Sequence, residues 1–165
     1  MIELSADQQA LQALARALGR EADGKKLRRD LAKELRQALQ PAVGEIKAGL
    51  MSIGSGGLPA DGEPLRPAVA RKIKAEARLS GRQTGARVRA RRTEAVRGFR
   101  HAPKRLNSAK GWRRPVFGTG LWVVQLGKPG YFDDPLERRR GEFRTAVHKA
   151  MEDAAARIAA STQRR

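Results

Sequence analysis

WRRPVFGTGLWVVQLGKPGYF, residues 112–132, is the stretch on which the reading of this chain turns. It holds five of the seven aromatic residues, and all seven lie between Phe99 and Phe143. Leu121 to Leu126 form a short apolar run of strand character. Gly127-Lys128-Pro129-Gly130 reads as a turn. Two uses fit such a segment. One is a platform on which nucleic-acid bases stack. The other is a core or subunit-interface loop, in which Trp and Tyr fill pockets and bring their polar tips to the rim. The aromatics are interleaved with Pro, Val and Gly rather than set at alternate positions on one basic strand, and that spacing favours packing or an interface. The candidate interface residues are therefore Trp112, Pro115, Phe117, Trp122, Gln125, Tyr131 and Phe132.

Upstream of this stretch the period is two. Thr84, Ala86, Val88 and Ala90 alternate with Gly85, Arg87, Arg89 and Arg91. That pattern predicts a half-buried strand with small apolar residues inward and arginines outward. Residues 95–101 are expected to be its partner strand, ended by Pro103. A short basic helix is expected from Pro67 to Leu79, with Val69, Ile73 and Ala77 on one side. Residues 54–66 are Gly- and Pro-rich and read as a long flexible connection.

Both ends of the chain are helical by spacing. Ser5 and Gln8 form a capping-box pair, and Leu4, Leu11, Leu14 and Leu18 mark one helical face. A second stripe runs through Leu27, Leu31, Leu35, Leu39, Val43, Ile46 and Leu50. Pro41 lies inside it and is expected to kink or divide the helix. The last helix begins near Pro135 and carries Phe143, Val147, Met151, Ala154 and Ile158. The order predicts an α+β fold: N-terminal helices, a small antiparallel sheet, and a C-terminal helix packed on one face of that sheet. The chain divides into helices at 1–53, a loop and basic segment at 54–83, and sheet plus helix at 84–165, as one domain with an extended loop. The free edges of so small a sheet can be protected by pairing with a neighbouring subunit.

Charge points to partners. The 165 residues include 35 Lys and Arg against 17 Asp and Glu, a formal net of +18. Residues 71–114 alone carry 16 basic and 2 acidic groups. Arg87, Arg89, Arg91, Arg92, Arg97, Arg100, Lys104, Arg105, Lys110, Arg113 and Arg114 are expected to form a basic surface. Guanidinium groups suit phosphate because they fork and keep their charge. Such a surface fits nucleic acid bound without regard to sequence, an acidic protein, or plain solvation, and the residues leave these open.

Little here suggests catalysis. There is no cysteine, hence no thiolate metal site and no cysteine nucleophile. His101 and His148 are the only histidines. Asp133 and Asp134 directly precede Pro135, where a negative charge favours the start of a helix. No phosphate loop, GxSxG or HExxH pattern is present. We therefore expect no catalytic residues, no cofactor and no metal. No run approaches the roughly 20 apolar residues of a membrane span, and no signal peptide is read at the N-terminus. The expectation is a soluble protein made inside the cell, or part of an assembly built there.

The run from Arg105 to Phe132 also resembles a known signature. Its Arg105-Leu106-Asn107, Gly111-Trp112-Arg113-Arg114-Pro115-Val116-Phe117-Gly118, Trp122-Val123-Val124-Gln125 and Gly127-Lys128-Pro129-Gly130-Tyr131-Phe132 look like the head-to-tail connector proteins of long-tailed actinobacterial phages. These are similar to the broader neck and tail-completion (minor tail) family. The order of N-terminal helices, small sheet with a Phe-Gly step and C-terminal helix fits as well. The resemblance implies a non-enzymatic virion protein, assembled in the host cytoplasm as a homo-oligomeric ring of six. That ring would join the portal-side connector to the tail-tube or tail-terminator protein, with genomic DNA passing through its lumen and no membrane involved. The Pro-Gly loop at 54–66 and the heavily basic block are not features of that family's pattern.

Overall fold

Leucines three and four residues apart build the first half of the chain. The computed structural model describes residues 8–21, 23–54, 64–81, 84–93, 99–116 and 118–162. Leu4, Ser5, Arg97 and Phe117 lie outside them, as do most of the 54–66 loop and of the expected strand at 95–101. Helix α1 (Gln8–Arg20) buries Leu11, Ala15 and Leu18, and α2 (Gly24–Ala38) buries Leu31 and Leu35. The stripe then passes through buried Leu39 into α3 (Gln40–Met51). The division falls at Leu39, and Pro41 becomes the second residue of α3. Its missing N–H is harmless there because the first turn has no internal acceptor for it. Gly24 opens α2 because a Cβ at that position would stand 2.0 Å from the Leu18 carbonyl oxygen.

The remaining elements are α4 (Leu65–Lys72), β1 (Ile73–Arg78), β2 (Gly85–Ala90), α5 (Ala102–Leu106), β3 (Trp112–Pro115), β4 (Trp122–Gln125), α6 (Asp133–Arg138) and α7 (Arg140–Thr162). The fold is α+β, with two separate two-stranded antiparallel sheets among the described residues, β1–β2 and β3–β4. Two expectations need correcting. The basic helix of 67–79 ends at Lys72, and its second half is strand β1. Val69, Ile73 and Ala77 fit a helix, but Ile73, Ala75 and Ala77 also fit a strand, and pairing with β2 decides between them. Among the described residues the partner of β2 is β1, and the expected partner strand at 95–101 lies mostly outside them. Finally, Pro103 does not stop a strand; it lies in the first turn of the short helix α5.

The chain forms two compact units. The first comprises Met1–Pro41, Ala75–Val88 and Glu137–Arg165; the second comprises Ala42–Lys74 and Arg89–Leu136. In the first unit, α7 packs along α2 and against α1. Phe143, Val147, Ala150 and Ala154 of α7 close on Leu11, Leu18, Leu31 and Leu35. Fully burying one leucine contributes about 1.5–3 kcal/mol, and this cluster holds several. Ala75, Ala77, Ala86 and Val88 lay the small apolar side of the β1–β2 ribbon on the same cluster. Arg157 reaches Glu34 at 2.8 Å across the surface of this unit. In the second unit the buried residues include Val43, Ile46 and Leu50 of α3, Val69 of α4, Ile73, Ala102, Leu106 and Tyr131.

Candidate functional site

The second unit carries a hairpin held firmly at its exit and little covered along its length. Segment 127–133 is strapped onto α5 and α3. The Lys128 N–H donates to the Leu106 carbonyl (2.9 Å), and its ammonium donates to the Ser52 hydroxyl (2.9 Å). Tyr131 is buried, and its hydroxyl donates to the Pro103 carbonyl at 3.2 Å. Asn107 accepts from the Phe132 N–H (3.1 Å) and donates to Asp133 (2.6 Å). Gly127 is required at the start of the strap, since a Cβ there would lie 2.4 Å from the Leu106 carbonyl oxygen. Burial, and secondarily the nearby Asp133 charge, pushes the Tyr131 phenol up to about 12.

From this base β3 and β4 rise as an antiparallel pair: Trp112 faces Gln125, Arg113 Val124, Arg114 Val123, and Pro115 Trp122. The alternation of a strand then assigns two faces. Trp112 and Arg114 share one face with Val123 and Gln125. There the Trp112 ring meets Phe99 at 5.4 Å, and the Arg105 guanidinium lies 5.1 Å from the Phe99 ring on α5's side. The Arg114 Nε is buried without a hydrogen-bond partner. Arg113, Pro115, Trp122 and Val124 share the other face, and Arg113 leans over the Trp122 ring at 5.8 Å.

That second face is open. Trp122 is 57% exposed and Val124 64%, with Leu121 (65%) and Leu126 (59%) at the ends of the same strand. Even Val123 is 40% exposed. Adjacent exposed apolar residues of this kind are uncommon on a monomer's surface and mark sites of association. A two-stranded ribbon is also marginally stable in water unless a third strand or a packing layer supports it. Both observations make the ribbon the candidate interface.

The expected interface residues therefore separate. Trp122, Pro115 and Gln125 are exposed on the ribbon, Trp112 is half-buried at its base, Tyr131 and half-buried Phe132 belong to the strap, and Phe117 is outside the described residues. Leu121, Val124 and Leu126 were not singled out by the sequence; an apolar run without alternation reads as buried. Asn107, which ties the strap, carried no signal beyond its place in the quoted run.

The basic residues also divide. Arg87 belongs to the first unit, half-buried with Glu76 at 3.5 Å. The others described belong to the second. Arg89 is exposed near the end of β2, and Arg91 and Arg92 are exposed just beyond it. Arg100 precedes α5, and its carbonyl accepts from the Thr93 N–H. Lys104 and Arg105 are on α5, Lys110 just before β3, and Arg113 and Arg114 on β3 itself. Arg97 is outside the described residues. From 95 to 132 the sequence has eight Lys and Arg and no Asp or Glu, so the ribbon stands in a wholly cationic stretch.

Elsewhere the polar chemistry is structural. Asp133 and Asp134 open α6. An open hollow of about 470 Å³ in the first unit is lined by Arg16, Arg28, Ser80 and Thr84, among others. Arg28 Nε donates to the Ala15 carbonyl and Thr84 Oγ1 to the Gly81 carbonyl. Among the described residues no three His, Asp or Glu converge on a point, and no helix is long and apolar enough to cross a membrane. Compared with known proteins, the chain matches no family model, no curated protein and no solved structure.

Proposed function

We propose that this chain is a non-enzymatic assembly protein of a phage neck. In this reading it is a head-to-tail connector of the tail-completion type, a virion component that forms a ring of six copies. The ring joins the portal-side connector to the tail-tube or tail-terminator protein around the channel taken by the genome. The observation that carries the reading is the ribbon of β3 and β4, whose whole second strand is exposed although it is almost entirely apolar. A subunit that buries in an assembly what it leaves open alone would have such a strand. The resemblance of 105–132 to the connector signature supplies the kind of assembly. The strap and the Asn107 contacts fit it too, because they present the ribbon from a fixed base.

The basic stretch favours a second reading, a nucleic-acid-binding protein that grips phosphates without regard to sequence. Light scattering at low and high salt, without and with duplex DNA, separates the two. The assembly reading expects a closed oligomer, or a monomer that ignores DNA at physiological salt and joins portal-side or tail-side rings. A monomer that stays single with every such ring, coats DNA, and lets it go steeply as salt rises would replace it with the second reading.

A further inference from the structure

The hydrogen bonds of the ribbon show which of its edges is available, and the inference drawn from them rests on the assembly reading. Val116 N–H donates to the Leu121 carbonyl at 2.8 Å, one step beyond the Pro115–Trp122 pair. Hydrogen-bonded and non-hydrogen-bonded pairs alternate along an antiparallel ladder. Arg114 with Val123 and Trp112 with Gln125 are then the bonded pairs. The backbone groups of Arg113 and Pro115 on β3, and of Trp122 and Val124 on β4, point away from the ladder. Pro115 has no N–H, so the outer edge of β3 is blunted. The edge of β4 keeps both N–H donors and both carbonyls, in a strand whose four residues are all exposed.

We propose that the free edge of β4 takes an extended, acidic segment of a different protein as a third strand. Main-chain bonds to Trp122 and Val124 would supply affinity, and side chains at alternate positions would supply choice. Charge names the chemistry of the partner. Arg113 of β3 lies over the ring of Trp122, a residue of the edge strand β4, at 5.8 Å on their shared face. A carboxylate on the added strand meets it there, and an apolar neighbour covers Val124. A second copy of the same ribbon does not fit. Edge-to-edge pairing of two copies would join ribbons whose only charges are Arg113 and Arg114, with no acid to meet them, and like charges repel.

The test uses the full chain and three short synthetic peptides: Val alternating with Glu, Val alternating with Lys, and the Val and Glu residues of the first rearranged into two blocks. Tryptophan fluorescence and light scattering read binding. The alternating Glu peptide is expected to bind about tenfold or more tighter than either of the others. Arg113→Glu, which leaves the ladder intact, is expected to turn the preference toward the Lys peptide. Val124→Pro, which removes one outward N–H, is expected to weaken binding of the Glu peptide about tenfold, with circular dichroism unchanged.

Equal binding of the alternating and blocked peptides would overturn the proposal, since it would show only attraction to a cationic protein. So would an unchanged preference in Arg113→Glu, or a self-associated protein that Trp122→Asp makes monomeric. A chain that forms rings and ignores all three peptides keeps the assembly reading and loses this inference. A chain that takes the Glu peptide but stays monomeric with every ring does the reverse.

Discussion

The first unit closes its apolar faces on one another, whereas the second leaves apolar residues open on a ribbon. In the first, Leu18, Leu31 and Leu35 are wholly buried under α7, and Arg157 pairs with Glu34 on its surface. In the second, Met51, Leu121, Trp122, Val123, Val124 and Leu126 are exposed, and these are all the exposed large hydrophobics among the described residues. The same kind of side chain therefore has two uses in one molecule. In the first unit it makes the fold stable. In the second it is left open on the surface.

That contrast can be broken by substitution. The largest effect is expected in the closed unit: Leu35→Ala should lower the unfolding free energy by about 2–5 kcal/mol in urea titration, the cost of a core cavity. A loss below about 1 kcal/mol would mean that the helices pack loosely. Next comes the base of the ribbon. Gly127→Ala forces a Cβ onto the Leu106 backbone and should destabilise by about 1–3 kcal/mol; a neutral result would show that the strap lifts away easily.

Tyr131→Phe removes the bond to the Pro103 carbonyl and should cost about 1 kcal/mol. It should also change the alkaline limb of the stability profile. The phenol loses its proton near 10 when unfolded and near 12 when folded. Between those values the folded state holds the extra proton, so stability falls as pH rises from about 10 to about 12. The variant should lack that component. Because the chain has one tyrosine, ultraviolet titration reads this phenol alone.

The smallest effect on stability, within about 0.5 kcal/mol, is expected for Trp122→Ser on the open face. The same variant should be the most damaging to assembly with other proteins, read in light scattering as lost joining to portal-side or tail-side rings. If it unfolded the protein instead, the ribbon would be part of the core and the contrast between the units would fail.

The helices of 8–50 and 143–158 were legible in the sequence, because amphipathic helices repeat their stripe over several turns and short-range spacing determines each one. Pro41 likewise predicted the division between α2 and α3. Residues 73–78 misled because six residues are too few to separate period two from a helical i, i+4 pattern. Residues 99–106 misled because Pro103 reads equally as a stop for a strand and as a first-turn residue of a helix. At the candidate site, Trp112 and Trp122 were singled out as candidate interface residues, but the exposure of Val124 and Leu126 was not legible.

By itself, then, the sequence determined the helices, the alternating strand β2, the cationic character of 95–132 and the α+β class. All of these follow from local spacing and composition. Only the tertiary structure decided that β1 is a strand, that the two sheets are separate, that Tyr131 and Asn107 anchor a strap, and that β4 keeps an open edge. Those outcomes depend on which distant segment arrives to pair or pack, and hydrophobicity measures how strongly a residue avoids water, not whether the chain has another layer to cover it.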